Sequence, residues 1–251
     1  MKRRLLFNSV IAIAMLYAIT ACKKDDPIPV STTITLVPTK DGAIYSTTID
    51  ATYDDRGNGG SELIQVGWNE WGAGFPHAAR GLVAFDLSSI PAGAVIKDVE
   101  LLLYVARKGA NTLPVSVHKL TEDWNEGTAS DGCTVINAWC SQAGTVVTTE
   151  GDATWSSTQF GTSTWTTAGG TFVALASATS FNDTYFNSQG LIDDVKAWIA
   201  TPAENFGWIL KVDETTVQRN GGELIRYGSR NAVINGADAS QQPQLKIRYE
   251  K

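Results

Sequence analysis

Apolar and polar positions alternate over most of the chain. Val99, Leu101, Leu103 and Val105 fall on one side of a period-two run, with Glu100, Leu102, Tyr104 and Ala106 on the other. This pattern predicts one long strand with at least one buried face. Leu245, Ile247 and Tyr249 alternate with Gln244, Lys246 and Arg248, so the chain is expected to end in a half-exposed strand. Shorter strands are expected over Ile34–Val37, Ala43–Ser46, Leu63–Trp68, Arg80–Phe85, Val115–Leu120, Thr171–Leu175, Trp208–Val212 and Leu224–Tyr227, with Gly, Pro, Asn and Asp between them. One segment departs from the alternation. Leu191, Val195, Trp198 and Ile199 recur at i, i+4, i+7 and i+8, the spacing of one side of a short helix, which must stop near Pro202. About ten strands with a single helix point to an all-β, capped antiparallel sandwich and not to alternating β/α units. The stretch from Asn125 to Gly170 is rich in Thr, Ser, Gly and Trp and predicts a long insertion of loops and short strands, of a length that usually has a job.

The N-terminus carries a different pattern. Lys2, Arg3 and Arg4 precede an apolar run from Leu5 to Ala21, interrupted by Asn8 and Ser9. A positive start, a short apolar core and small residues before a cut are the parts of an export signal, and the run falls short of the ~20 apolar residues a spanning helix needs. Ile19-Thr20-Ala21-Cys22 resembles a bacterial lipobox, and Lys23-Lys24-Asp25-Asp26 resembles the surface-export signal of lipoproteins in the Bacteroidetes. These resemblances imply acylation of Cys22 and anchoring at the outer membrane, facing outward; several acyl chains, at ~0.8 kcal/mol per methylene, hold without a transmembrane helix. The expected organisation is a signal over residues 1–21, an acylated cysteine and tether over 22–32, and one domain over 33–251.

Loss of Lys2, Arg3 and Arg4 on cleavage leaves 17 Lys+Arg against 26 Asp+Glu, a charge of −9. Nucleic acid is therefore excluded as a partner, since phosphate binding wants a basic face. An acidic polysaccharide is repelled at long range, although a local cluster of Arg offsets this. Two further cysteines, Cys133 and Cys140, stand six residues apart. In an oxidising exterior they are expected to form a disulfide that pins a local loop.

Arg80-Gly81-Leu82-Val83-Ala84-Phe85-Asp86-Leu87-Ser88-Ser89-Ile90-Pro91-Ala92-Gly93-Ala94-Val95-Ile96 is the most distinctive run. It resembles a signature of DNRLRE-type carbohydrate-binding modules. The likeness continues in order through Trp124-Asn125-Glu126-Gly127, Gly151-Asp152-Ala153-Thr154-Trp155, Asp194-Val195-Lys196-Ala197-Trp198, Asn205-Phe206-Gly207-Trp208-Ile209-Leu210 and Tyr227-Gly228-Ser229-Arg230. The resemblance implies a jelly-roll β-sandwich that binds polysaccharide alongside glycan-degrading or transport partners. The naming hexapeptide of the family is not recognisable in this chain.

A sugar site needs an aromatic platform for C–H faces with planar polar groups beside it. Trp68 and Trp71 lie in an aromatic, glycine-bearing stretch after a strand, and two indoles there are hard to bury together. Trp155, Trp198 and Trp208 sit in positions that suit the core, while Trp139 and Trp165 fit either role. Arg80, Arg226 and Arg230, with Tyr227, supply the polar candidates, because a guanidinium presents a planar fork to paired hydroxyls; for Arg80 a structural pairing with a carboxylate is the equal alternative. Asp41 and the Asp54-Asp55-Arg56-Gly57-Asn58-Gly59 turn offer oxygen ligands for a structural calcium, against a plain Asx-Gly turn. No other cofactor is expected. An enzyme is the competing class: Glu122, Asp123 and Glu126 cluster around Trp124 and offer the two carboxyl groups a glycosidase needs, a lyase would use a Tyr or His base, and His77 and His118 are the neutral-pH bases. Gly-x-Ser-x-Gly and His-Glu-x-x-His patterns are absent. A structural or adhesin surface protein is the third class. Non-catalytic polysaccharide capture is the reading that the sequence favours.

Overall fold

Two antiparallel sheets carry the apolar faces that the alternation predicts. The computed structural model describes residues 30–47, 56–69, 77–110, 113–135, 147–180, 182–215 and 224–251. The signal, Cys22 and most of the tether lie outside them, and among the described residues no helix is long and apolar enough to cross a membrane.

The smaller sheet runs in the order β1 (Ser31–Leu36), β15 (Gln244–Glu250), β6 (Val95–Leu102) and β12 (Tyr185–Asn187). The larger sheet runs β11 (Ala178–Ser180), β8 (Val115–Lys119), β13 (Trp208–Lys211), β5 (His77–Phe85), β4 (Leu63–Asn69), β14 (Leu224–Gly228) and β7 (Val105–Lys108). Its remaining strands, β2 (Pro38–Thr47) and the short β3 (Arg56–Gly57), join through the pairing of β2 with β5. The result is an all-β sandwich.

Its core lies between the sheets. Val99, Leu101, Leu245 and Ile247 of the small sheet meet Ile64, Val66, Trp68, Val83, Val117, Trp208 and Tyr227 of the large one. Helix α1 (Gln189–Ala200) closes one side, starting at Ser188, whose Oγ accepts from Leu191 N, and stopping at Thr201 before Pro202. Leu191, Val195 and Trp198 enter the core, where Trp198 meets Trp208 edge-on at 4.6 Å between ring centres. Asp194, buried on the same helix, accepts from Trp208 Nε1 at 2.8 Å and from Ser177 Oγ. A second, shorter helix, α2 (Arg230–Ile234), is an addition to the single helix expected.

The outer face of the large sheet is also apolar, and the insertion covers it. Ile44, Leu82, Ala84 and Ile209 project outward against Trp124, Ala153 and Trp165. Among the described residues the covering chain is irregular apart from one small hairpin, β9 (Ser157–Gln159) with β10 (Ser163–Thr164), so side-chain carboxylates take up several of its amides. Asp152 accepts from Thr128 N at 2.6 Å, Ala129 N at 3.3 Å and Thr149 N at 2.6 Å. Asp131 accepts from Ser61 Oγ at 2.6 Å, Gln65 Nε2 at 2.7 Å and Cys133 N at 3.0 Å. Cys133 is buried and disulfide-bonded, while Cys140 lies outside the described residues.

Two strand expectations need correction. The run Val99 to Ala106 is broken at Leu103 and Tyr104, because the chain leaves the small sheet after β6 and enters the large sheet as β7. Thr171–Leu175 is not a strand: Phe172 makes one isolated bridge to Leu120 and packs into the outer cluster, while Leu175 is 82% exposed.

Glycine marks where insertion and sheet approach most closely. A Cβ on Gly59 would lie 1.7 Å from the carbonyl oxygen of Glu126, so any side chain there must displace backbone. Gly59→Ala is expected to lower the unfolding free energy by about 1–3 kcal/mol, read as a lower urea midpoint with an unchanged slope.

Candidate functional site

Most residues singled out for ligand contact are already occupied. Trp68 continues the inward row of Ile64 and Val66 on β4 and is 4% exposed in the sandwich core. A sugar cannot stack on it, and the i, i+2 spacing was the signal for burial. Trp71 and Trp139 lie outside the described residues, while Trp165, within the insertion, is buried in the outer cluster. Trp198 and Trp208 are in the core as expected.

The arginines are structural ties. Arg80 grips Glu214 with Nε at 2.6 Å and Nη2 at 2.8 Å, donates Nη1 to Gly169 O at 2.6 Å, and lies 4.4 Å over the Trp155 ring. Its fork holds the end of the insertion to β5, with Glu214 and not Asp86 or Asp194 as its carboxylate. Arg226, on the covered face of β14, is buried opposite Gln65 and Arg107. Burial first and Arg107 second push its pKa down, while Tyr45 and Asp131 counter them. Tyr227 is wholly buried in the core, and burial with nearby Asp183 drives its phenol well above the usual value. These two residues cannot meet a ligand in this structure, because both faces of their strand are covered.

Arg230 opens α2, giving its backbone N–H to Asp41 Oδ2 at 2.7 Å and its Nη2 to Glu126 Oε2. Glu126 Oε1 accepts in turn from Asp41 N at 2.9 Å. Asp41 is 0% exposed and its Oδ1 has no hydrogen-bond partner among the described residues. Burial first, then repulsion by Glu126, raises its pKa to about 7 against the pull of Arg230. Asp41 thus belongs to a clamp between β2, α2 and the insertion. Asp54 and Asp55 lie outside the described residues, and the adjoining Asn58 is buried, bonding Tyr45 Oη at 2.7 Å and Asp131. Among the described residues no three His, Cys, Asp or Glu side chains converge as a metal site would need.

The carboxylates weighed for catalysis are each engaged by neighbouring groups. Glu122 accepts from Thr166 N and Thr171 Oγ1 at 3.0 Å each, and Asp123 pairs with Lys40 at 2.6 Å. His118 sits between Val173 O and Ser116 Oγ, both at 3.0 Å, with its pKa lowered chiefly by burial. The side chain of His77 is outside the described residues.

Among the described residues an open groove forms where the chain changes sheets. Its volume is about 300 Å³, and Tyr104 and Tyr185, 37% and 40% exposed, lie in its walls with Thr184, Ser240, Gln242 and Gln244. Each wall has a local cause. Tyr104 stands in the break between β6 and β7, its carbonyl accepting from Gly228 N at 3.0 Å. A Cβ on Gly228 would lie 1.9 Å from Gln241 O and 3.4 Å from Tyr104 Cδ1, so glycine lets Tyr104 and the 239–241 turn close together. Asn182 Oδ1 accepts from Thr184 N at 3.2 Å and Tyr185 N at 3.1 Å, and Asp183 adopts φ 62°, which turns the chain into β12. Tyr185 then aligns with Leu102 of β6 and Gln244 of β15 across three strands. Asp238 caps the 239–241 turn, fixing Ser240 by bonds at 2.8 and 2.6 Å. The groove therefore presents two rings, planar amides and hydroxyls on rigid backbone, the chemistry of a site for polyhydroxylated rings. The chain matches no protein-family model and no curated protein.

None of these lining residues was singled out in the sequence, because three separated segments supply them. The usable signal was Tyr104, an aromatic on the polar side of an alternating run.

The Asp41 clamp gives a pH signature. A carboxyl whose pKa rises from 3.8 unfolded to about 7 folded binds its proton more tightly when folded, so its contribution is complete below pH ~4 and is lost as pH climbs to ~7. Asp41→Asn keeps the acceptor for Arg230 and removes the titration. The stability of Asp41→Asn relative to the parent is expected to rise by a few kcal/mol, to order of magnitude, between those limits, measured by urea unfolding across the range; a flat difference sinks the assignment.

Proposed function

We propose that this chain is a non-catalytic polysaccharide-binding protein of the cell envelope, held by acyl chains on Cys22 and facing outward, that captures glycan for partner enzymes or an uptake complex. The observation that carries this reading is the Tyr104–Tyr185 groove. Two half-exposed phenol rings in the lining give platforms for sugar C–H faces, and Gln242, Gln244, Ser240 and Thr184 supply hydrogen-bonding groups. The ordered sequence blocks that resemble DNRLRE-type modules support the same reading, and the lipobox-like tetrapeptide supports the anchor.

The groove is shallow, and a few contacts carry the binding, so single-site affinity is modest. Several copies on one surface raise avidity without new contacts. Catalysis has no support from the carboxylates weighed above, each of which holds the insertion or its neighbours.

Tyr104→Ala and Tyr185→Ala are each expected to weaken glycan binding at least tenfold, about 1.4 kcal/mol, with the melting temperature unchanged. Trp68→Ala should instead lower the melting temperature, as loss of a buried Trp costs about 3–5 kcal/mol. A glycan array with the purified protein and its variants reads the first effect, and thermal denaturation reads the second. Sustained release of product from a bound glycan would establish an enzyme instead, and absence of binding to every glycan would favour a structural or adhesin role.

A further inference from the structure

Resting on the reading of the groove as a glycan site, we infer that it selects an uncharged glycan and rejects uronic-acid and sulfated polysaccharides. The groove lining contains no Lys, Arg, His, Asp or Glu. A carboxylate or sulfate entering it would give up hydration with no cation to replace the water, a loss that amide and hydroxyl donors offset only in part.

The surroundings reinforce the discrimination. Tyr185 Oη donates to Glu100 Oε1 at 3.3 Å, so the phenol turns its lone pairs outward. Loss of hydration, with Glu100 and Asp98 behind it, raises its pKa and keeps it neutral. Two cations lie on the same strand beyond Gln244. Lys246, the nearer, is paired with Glu100 at 3.1 Å. Arg248 stands four residues from Gln244, opposite Asp98, and at ~3.4 Å per residue it is farther from the groove than a Debye length of ~8 Å at physiological salt. Lys246 and Glu100 thus compensate one another, as do Lys108 and Asp183 beside Thr184, Asp238 bonded to Ser240 adds a negative group at the groove's edge, and the negative net charge of the whole chain, −6, opposes anions at longer range.

A sugar without charge has the opposite fit. Its apolar faces lie against Tyr104 and Tyr185, and its hydroxyls reach the Gln244 and Gln242 amides, each of which gives Nε2 only a long bond to Ala239 O, at 3.3 and 3.4 Å. These bonds are weak enough to yield to a ligand hydroxyl.

The test is a binding titration of the purified protein against neutral polysaccharides (β-glucan, xylan, mannan) and acidic ones (alginate, polygalacturonate, chondroitin sulfate), at low and high salt. Tyr185→Ala and Gln244→Lys variants run alongside, with melting temperatures as the folding control. The expected result is Tyr185-dependent binding of a neutral glycan that salt does not weaken, with acidic glycans at least tenfold weaker. Gln244→Lys is expected to narrow that gap by supplying the missing cation. Tyr185-dependent binding of an acidic glycan as tight as any neutral one overturns this inference and leaves the glycan-binding reading standing. No Tyr185-dependent binding to any member of the panel overturns that reading and this inference with it.

Discussion

The structure depends on giving a hydrogen-bond partner to each polar backbone group that the insertion carries across the outer face of the large sheet. That face is apolar, so it must be covered, and the described residues of the covering chain have little regular structure. A buried amide without a partner costs about 1–3 kcal/mol, and the short β9–β10 hairpin and a few loop bonds supply partners to only some of them. Carboxylates take the place of a ladder: Asp152 gathers three amides, Asp131 ties the segment to Ser61, Gln65 and Asn58, and the Asp41–Glu126–Arg230 clamp fastens it to β2 and α2. Arg80 closes the far end through Glu214 and Gly169.

This constraint decides where a ligand can sit. Among the described residues the central strands of the large sheet are buried on both sides, and Arg80 is taken up in holding the third layer. The small sheet differs: its outer side is polar, and the passage of the chain from β6 to β7 leaves Tyr104 outside the core beside Tyr185. The groove is thus a by-product of chain crossing, made rigid by Gly228, Asn182 and the Asp238 cap. Binding residues placed on such supports need little rearrangement to receive a ligand.

The fold was largely legible in the sequence, whereas the candidate site was not. Period-two runs marked β4, β5, β6, β8, β13, β14 and β15, and the i, i+4, i+7 set marked α1, because burial on one face imposes those periods directly. The break after Leu102 was invisible, since Leu103 and Val105 keep the alternation while the strand changes sheets. Thr171–Leu175 misled for the converse reason, being apolar enough to pack yet bonded to β8 only by isolated contacts such as Val173 N to Lys119 O at 2.9 Å. Charged residues were read as chemistry when their partners lay far away in the chain: Arg80 and Glu214 are 134 positions apart, and Arg230 and Asp41 189 apart. Gln244 and Ser240 carry no local signature at all, and only the cross-strand register brings them to Tyr185.

Native-state hydrogen exchange tests most directly whether the insertion is a sealed third layer. The amides of Thr128, Ala129, Thr149 and Cys133 lie in irregular chain, yet each ends on a buried carboxylate. If that layer is integral to the fold, they exchange with the slow class of the β5 and β13 amides, through opening of most of the molecule. Exchange at rates close to those of open loops, with β5 and β13 still protected, would contradict the account and return the outer face of the large sheet to the surfaces available for ligand.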